Sequence, residues 1–174
     1  NEGQVNTLCK NVLDKLVQLH NVDIHATGLD VFSKGAGYCN RQIEGWSERY
    51  KKARTWNVPN CETVMSWLKE NIPTEERSCF IHNDFRFDNV VLNPDNPLEV
   101  IGVLDWEMAT VGDPLMDLGN SLAYWVQADD DSFMRKIRRQ PTHLPGMLTR
   151  KQVVEYYCGK AGIEVKDFTF YEGY

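Results

Sequence analysis

The stretch from Cys79 to Asp117 constrains the fold more than any other part of this 174-residue chain. It contains apolar runs with the length and composition of β-strands, which occupy residues 79–81, 90–92 and 100–104. Polar residues stand at the ends of these runs, and they include Asp84, Asn89 and Asp105. Because the ends of short strands can hold side chains in one cleft, we expect these oxygen-bearing side chains to converge.

The spacing of these polar residues matches the catalytic segment of protein kinases. That segment has the pattern H-x-D-x-x-x-x-N and is followed by a further, metal-binding Asp. His82, Asp84 and Asn89 fit the first part, and Asp105 fits the later Asp. In phosphoryl transfer one carboxylate orients an alcohol and accepts its proton, while side-chain oxygens bind Mg²⁺ on the nucleotide. Each residue alone is more often a turn or cap residue, but the ordered set favours this chemistry.

The same stretch resembles the aminoglycoside phosphotransferase and choline-kinase-like family. The resemblance rests on IHNDFRFDN at 81–89, VLDWEMATVGDP at 103–114 and DLG at 117–119. Weaker matches, LVQLHNVD at 16–23 and a helix from Thr149, extend it over nearly the whole chain. With them, the chain looks most like the branch that is sometimes fused to acyl-CoA dehydrogenases. The family usually has Gly where Asn83 stands, and Asn tolerates left-handed backbone angles better than most residues.

The resemblance implies an α+β fold class, namely a mainly helical C-terminal lobe of a protein-kinase-like fold. Short β-hairpins would carry the catalytic loop of this lobe. A complete kinase also needs a phosphate-covering loop and a Lys on a strand ahead of the catalytic loop. Before His82 the sequence predicts neither feature, since Lys10 and Lys15 fall on a predicted helix. We therefore expect residues 1–174 to form a single domain, truncated at both ends and without its N-terminal lobe.

The resemblance also implies roles for individual residues. Asp84 would orient a substrate hydroxyl towards the γ-phosphate of ATP, and Asn89 and Asp105 would supply oxygens that bind Mg²⁺. Arg86 is either a contact for the transferred phosphate or an exposed basic residue. Glu107 would contact the metal or nucleotide, directly or through water, or else form a hydrogen bond within its own loop.

Two further residues have expected supporting roles. His82 would brace the catalytic loop without transferring a proton itself. Asp117 would hold the same loop by hydrogen bonds, although an acid in the first turn of a helix is also favoured by the helix dipole.

The function implied by the resemblance is an ATP- and Mg²⁺-dependent phosphotransferase that acts on a hydroxyl group of a small molecule. For the dehydrogenase-associated branch, the acceptor would be a hydroxyacyl-CoA or a hydroxy acid. We expect the chain alone to be inactive without the N-terminal lobe, which is its expected partner. The alternatives are a non-catalytic nucleotide- or ligand-binding pseudokinase module and a metal-dependent hydrolase, which needs a closed set of metal ligands.

Composition argues against several other classes of protein. Hydrophobic residues make up 42% and charged residues 25% of the chain, an ordinary globular balance. The net charge of −6 disfavours a general nucleic-acid binder. No apolar run approaches the ~18 residues of a transmembrane helix, so no membrane partner is expected. Five scattered cysteines without a CxxC pair favour reduced thiols, no zinc site and a cytoplasmic location.

Periodicity and capping signals predict the helices on either side of the central stretch. The early helices are predicted over 5–20, over 38–56 and from an N-cap at Asn60 to a point before Pro73. A charged connector over 74–77 then leads into the first strand. The later helices are predicted after Asp113 and Pro114, from a Thr149–Gln152 capping box to Gly162, and after Asp167.

Several side chains outside the central motif also carry expectations. We expect His20 to end the first helix and pack inside, and Met65 and Trp67 to be core residues of the third helix. The charged segment over 129–147 has two open interpretations. It is either a solvated, mobile excursion or a loop over the cleft whose arginines meet an anionic substrate.

Overall fold

The computed structural model describes residues 1–74 and 77–174, and helices dominate this part of the chain. The α-helices are α1 (Glu2–His20), α2 (Tyr38–Ala53), α3 (Glu62–Glu70), α4 (Pro114–Ala123), α5 (Ser132–Ile137), α6 (Arg150–Ala161) and α7 (Thr169–Gly173). Short 3₁₀ turns occupy Leu29–Phe32, Phe87–Asn89 and Trp106–Met108. The strands are β1 (Cys79–Ile81), β2 (Val90–Leu92), β3 (Val100–Val103) and β4 (Thr110–Gly112). The predicted α+β class is confirmed. Within the described ranges, no helix is both long and apolar enough to traverse a bilayer.

Two antiparallel strand pairs frame the central motif. Strands β2 and β3 form the expected hairpin, with Val90 opposite Val103. Strand β1 pairs with β4, and Phe80 lies opposite Val111. The β2–β3 hairpin and the loops on either side of it lie between these two strands in the sequence. Strand β3 ends at Val103, one residue earlier than predicted, although the Leu104 amide still donates to the carbonyl oxygen of Asn89 at 2.8 Å.

The hydrophobic core forms where α1 packs against α6 and β1, and where α4 packs against α7. Helix α1 buries one apolar stripe, whose members are Cys9, Val12, Leu13, Leu16 and Val17. Helix α4 buries Leu115, Leu118 and Leu122 as expected, and Trp125 just beyond its end is buried too. Each such side chain contributes roughly 1.5–3 kcal/mol when removed from water. This packing fixes α4, which carries Asp117, beneath the end of β1.

Helix boundaries differ from the sequence prediction where capping overrides periodicity. Helix α1 begins at Glu2 rather than at residue 5, because Asn1 and Gln4 form a reciprocal capping box. Helix α2 ends at Ala53, and Trp56 lies beyond it with 95% of its surface exposed. The N-cap of α3 is Cys61 and not Asn60, although the Asn60 side chain accepts a hydrogen bond from the Glu62 amide at 3.4 Å.

Other local predictions have mixed outcomes. The Thr149–Gln152 capping box and the Asp113 cap followed by Pro114 are confirmed, and α6 ends before Gly162. The Asp167 side chain accepts a hydrogen bond from the Thr169 amide at the start of α7. The core role expected for Trp67 is wrong, because α3 buries Leu68 and leaves Trp67 exposed. The connector expected over 74–77 includes Glu75 and Glu76, which lie outside the described residues.

Candidate active site

The loop after β1, residues 82–89, brings two of the predicted site residues together, and we call it the catalytic loop. The Asn89 side-chain amide donates to the carbonyl oxygen of Asp84 at 2.8 Å and to the Asp84 carboxylate at 3.2 Å. The 3₁₀ turn at Phe87–Asn89 folds the chain back so that these contacts form. Asp84 and Asn89 therefore converge, as the sequence predicts.

The Asp117 carboxylate fixes the start of the catalytic loop. Its oxygens accept hydrogen bonds from the backbone amides of His82 at 2.8 Å and Asn83 at 2.7 Å. Asp117 is fully buried in the first turn of α4, where the helix dipole also favours a negative charge. A buried carboxylate must be hydrogen-bonded, and these contacts meet that requirement. The hydrogen bonds that we predicted between Asp117 and the loop are present.

Two buried residues complete the surroundings of Asp117, and sequence reasoning did not connect them to the site. His20 Nε2 lies 2.9 Å from Asp117 Oδ2, and His20 Nδ1 lies 2.5 Å from the Tyr157 hydroxyl. Burial raises the pKa of Tyr157, so its hydroxyl keeps its proton and forms a hydrogen bond with Nδ1. His20 Nε2–H then donates to Asp117. The expected packing of His20 is confirmed, but the sequence contains no local signal for partners 97 and 137 residues away.

His82 connects the catalytic loop to the loop that follows β3. Its Nε2–H donates to the carbonyl oxygen of Leu104 at 2.8 Å, and its Nδ1 accepts from the Asp84 amide at 3.2 Å. The ring is completely buried and lies 4.8 Å, centroid to centroid, from the Trp106 ring. Since both ring nitrogens have backbone partners, His82 has no nitrogen available to a substrate.

Arg86 lies against the proposed base and is not an exposed basic residue. Its Nη2 is 3.0 Å from Asp84 Oδ2, and only 15% of its side chain is exposed. The guanidinium also lies over the Tyr124 ring, 5.1 Å from the centroid, and Nε is 3.5 Å from Asp88 Oδ1. Arg86 therefore fixes the position of one Asp84 oxygen and places a positive charge next to it.

Asp105 and Glu107 lie in the exposed loop after β3. Asp105 has a left-handed backbone with φ of +66°, which Asp tolerates better than most residues. It directly follows Leu104, whose amide is bonded to Asn89, so the loop runs beside the catalytic loop. In the part of the chain that the structure describes, neither carboxylate has a hydrogen bond or an ion pair. Glu107 lines the same cavity as Asp84, whereas Asp105 does not. The structure thus brings Asp84 and Asn89 together and does not show the expected convergence of Asp105 with them.

The donor chemistry of Asn89 and Asp105 fits a hard divalent cation. The Asn89 amide nitrogen is committed to Asp84, and its Oδ1 accepts no hydrogen bond from a described residue. That oxygen and the Asp105 carboxylate are the oxygen ligands that Mg²⁺ prefers. Among the described residues no group of three or more His, Cys, Asp and Glu side chains could hold a metal ion. A cation here would complete its shell with phosphate and water oxygens, as Mg²⁺ does on nucleotides.

An open cavity of about 930 Å³ extends from Asp84 and Asn83 towards α2 and α3. Its walls are largely aromatic and apolar, and they include Tyr38, Ile43, Trp46, Met65, Leu68 and Tyr174. Lys34, Arg41 and Arg49 also line it. The arginines of the 129–147 segment do not contribute, since Arg135, Arg138 and Arg139 are exposed and none lines this cavity. These arginines are therefore not part of this cavity, and their contact with an anionic substrate stays a prediction.

Asn83 occupies the position where the resembling family usually has Gly. Its φ of +65° is the left-handed conformation that we expected Asn to tolerate. Its side chain also donates to the Met108 carbonyl at 2.9 Å and accepts from the Tyr38 hydroxyl at 3.0 Å. Burial raises the pKa of Tyr38, so this hydroxyl remains a donor. Asn83 thus links the catalytic loop to the cavity wall and to the Glu107 loop.

Comparison with known proteins assigns the chain to a family. The sequence profile of the phosphotransferase enzyme family, abbreviated APH, matches residues 1–151. The chain belongs to this family. Members of this family are phosphotransferases, so the fold described above is that of a kinase-like small-molecule phosphotransferase.

Solved structures support the same assignment of the APH fold. A protein from Ralstonia eutropha, described as a candidate aminoglycoside phosphotransferase, superposes with a TM-score of 0.83 at 28% identity. The match covers 99% of this chain and 52% of that protein. An aminoglycoside-3′-phosphotransferase of type VIII gives a TM-score of 0.66 at 17% identity, covering 99% of this chain and 61% of its own. At that identity it supports the fold alone.

Sequence relatives of this APH chain are much longer proteins. Acyl-CoA dehydrogenase family member 10 of Mus musculus is 36% identical over 158 residues, which are 90% of this chain and 15% of the relative. Acyl-CoA dehydrogenase family member 11 of Rattus norvegicus is 34% identical over 156 residues, covering 88% and 20%. This chain therefore spans about a fifth or less of these relatives. The predicted similarity to the dehydrogenase-fused branch is confirmed.

Proposed function

We propose that this chain is the catalytic-loop lobe of an ATP- and Mg²⁺-dependent kinase that phosphorylates a hydroxyl group of a small molecule. One observation carries the proposal. The Asp84 carboxylate lies at the edge of the cavity with Oδ2 held by Arg86 and Asn89. Its Oδ1 accepts no hydrogen bond from any described residue, which leaves this oxygen available to a substrate hydroxyl.

The proposed role of Asp84 is to orient the acceptor alcohol and take its proton as the oxygen attacks the γ-phosphate. Holding Oδ2 on Arg86 and Asn89 limits rotation of the carboxylate, and this positioning is the main catalytic contribution expected of a kinase. Arg86 also forms an ion pair with Asp84, and we propose that it stabilises charge on the transferred phosphate.

We propose that Asn89 Oδ1 and the Asp105 carboxylate hold the Mg²⁺ ion, with Glu107 a further contact through water. When bound, the ion neutralises phosphate charge and orients the phosphates. The protein contributes by keeping both oxygen donors free of other partners. His82 supports this arrangement, because it fixes the Leu104 carbonyl beside the catalytic loop.

The cavity favours an acceptor that is partly apolar and carries an anionic group. Its walls next to Asp84 are aromatic and apolar, and cationic side chains also line it. The relatives named as acyl-CoA dehydrogenase family members suggest acyl chemistry in the same proteins. We therefore propose a hydroxyacyl-CoA or a hydroxy acid as the acceptor.

We propose that the complete kinase has an N-terminal lobe that supplies the phosphate-covering loop and its Lys. The chain matches only 52% of the Ralstonia eutropha protein, which leaves room for such a lobe. We expect the 174 residues alone to bind ATP weakly and to turn over little. A cytoplasmic location is part of the proposal, because five cysteines that form no disulfide suit a reducing compartment.

The test of the proposed function is the Asp84→Asn variant in a protein that contains both lobes. The amide retains the shape of the carboxylate but cannot accept the proton, so phosphoryl transfer should fall by at least ~10²-fold. Binding of Mg·ATP, measured by calorimetry, should change by less than about threefold. A matched control is Asp95→Asn, which alters an exposed Asp on the turn between β2 and β3 and should leave transfer unchanged.

Three outcomes would contradict the proposal. Equal loss of nucleotide affinity in Asp84→Asn would remove Asp84 from the role of base. Nucleotide binding by the parent protein without turnover on any acceptor would favour the pseudokinase module. Phosphate release that does not depend on an alcohol would favour the hydrolase.

A further inference from the structure

The charged 129–147 segment contains a buried glutamine that contacts the catalytic loop. Gln140 is only 3% exposed, in a segment whose other side chains are largely solvated. Its Oε1 accepts a hydrogen bond from the Phe87 amide at 2.9 Å, and its Nε2 donates to the Tyr124 carbonyl at 3.3 Å. Since one partner is a donor and the other an acceptor, the orientation of the side-chain amide is fixed.

Both partners of Gln140 are directly connected to Arg86. Phe87 is the next residue in the chain, and the Tyr124 ring lies beneath the Arg86 guanidinium. Phe87 also begins the 3₁₀ turn that ends at Asn89, in which the Asn89 amide donates to the Arg86 carbonyl at 3.0 Å. One side chain therefore joins the backbone after Arg86 to the residue on which Arg86 stacks.

The surroundings hold Gln140 in a fixed place. Two residues further on, the buried Thr142 donates to the Val126 carbonyl at 2.9 Å. At the base of the segment, Arg150 forms a two-pronged pair with Asp130, at 2.6 and 2.7 Å, and donates to the Trp125 carbonyl. These contacts attach the segment to Val126 and to the start of α6, so Gln140 is held by residues outside the catalytic loop.

We propose that Gln140 is a positioning residue, which holds the turn carrying Arg86 and Asn89 in the geometry that presents Asp84 to its substrate. The proposal rests on the proposed function only for its effect on turnover. Its structural part is that the 129–147 segment, which the sequence left as a solvated excursion or a substrate loop, is a support for the catalytic loop.

The experiment compares Gln140→Met with Thr142→Val. Methionine matches the length and volume of glutamine but removes both hydrogen bonds, which leaves the Phe87 amide without a partner. Valine removes one equally buried hydrogen bond two residues away, where no contact with the catalytic loop is lost. The measurement is residue-resolved hydrogen exchange of the amides at 86–90, in the full protein that contains this chain.

We expect Gln140→Met to speed exchange at Phe87 and Asn89 by about tenfold or more, and Thr142→Val to change it by less than about twofold. Gln140→Asn shortens the side chain by one methylene and should also speed exchange, by a smaller factor. This variant decides the question if the methionine variant does not fold. Equal exchange rates in the Gln140 and Thr142 variants would overturn the proposal, as would unchanged exchange in the Gln140 variants.

Kinetics provide a second measurement. In a protein active as a kinase, Gln140→Met should lower kcat by about tenfold and change the KM of the acceptor by less than about twofold, because misplaced groups slow the chemical step. An unchanged kcat together with faster exchange would overturn the link to catalysis. If the parent protein transfers no phosphate, the proposed function fails, and the exchange measurement still decides whether Gln140 positions the loop.

Discussion

At the scale of single residues, the site is organised by buried polar side chains that do not themselves reach the cavity. Asp117 accepts from two loop amides, and His20 and Tyr157 behind it form a continuous hydrogen-bonded chain to α6. Such a network is stabilising only when every member has a partner. A substitution at His20 or Tyr157 should therefore affect the start of the catalytic loop.

The His20→Leu variant tests this network. Leucine fits a core position but leaves the buried Asp117 carboxylate with one hydrogen bond fewer and the Tyr157 hydroxyl without its His20 partner. We expect the free energy of unfolding to fall by about 2–4 kcal/mol, measured by urea denaturation.

The control for this prediction is Tyr157→Phe, which removes only the outer hydroxyl and keeps the bond between His20 and Asp117. It should lower the free energy of unfolding by about 1 kcal/mol. If the two variants are equally stable, the contact between His20 and Asp117 contributes nothing and the network is not a unit.

At the scale of elements, short strands and loops depend on connections from more distant segments. Strands of three or four residues have few ladder hydrogen bonds of their own. The β2–β3 hairpin is joined to the catalytic loop by the Leu104 amide, and α6 is joined to the 124–130 loop by Arg150. The pair formed by Asp130 and Arg150 should therefore contribute a measurable, pH-dependent part of the stability.

The prediction concerns Asp130→Asn. Hydrogen bonds from Arg150 lower the pKa of Asp130 below its ordinary value of 3.8, so the folded state favours the charged form. The stabilisation is complete above the ordinary pKa and is lost as the pH falls through the lowered one. The parent protein should thus be more stable than Asp130→Asn at pH 6, and the difference should shrink below pH ~4. Urea denaturation between pH 3 and pH 6 measures it.

A neighbouring carboxylate provides the control for the pH dependence. Asp129 is exposed, and among the described residues its carboxylate accepts only from the Gln127 side chain. Asp129→Asn should therefore differ from the parent by a small amount that does not change below pH ~4. If the difference in the free energy of unfolding between the parent and Asp130→Asn also stays constant with pH, the pair with Arg150 does not stabilise the fold.

At the scale of the whole molecule, the sequence predicted what is local and missed what is distant. The strands at 79–81 and 90–92 and the cap at Asp113 follow from neighbouring residues. The hydrogen bond from the Phe87 amide to the Gln140 side chain, 53 residues away, has no local signal because it depends on how the helices pack. The exposure of Trp67 was missed for the same reason. Periodicity identifies the faces of a helix, but the neighbouring elements decide which face is buried.

The close approach of α4 and α7 is the last such long-range feature, and it places the end of the chain beside the cavity. A Cβ atom on Gly119 of α4 would lie 2.6 Å from the carbonyl oxygen of Tyr171, and Tyr174 beyond it lines the cavity wall. Backbone atoms cannot yield as a flexible side chain can. Gly119→Ala should therefore push α7 away and lower the free energy of unfolding by about 1–3 kcal/mol.

The same substitution at Gly159 of α6 should have the opposite sign. A Cβ atom there meets nothing within 4 Å, so alanine gains helix propensity and raises the free energy of unfolding by about 0.5–1 kcal/mol. Urea denaturation of both variants measures the difference. Because the chemical change is identical, a gap between Gly119→Ala and Gly159→Ala reports only on the packing of α7. Two variants of equal stability would show that α7 does not pack closely on α4, and that the cavity wall formed by Tyr174 is not fixed.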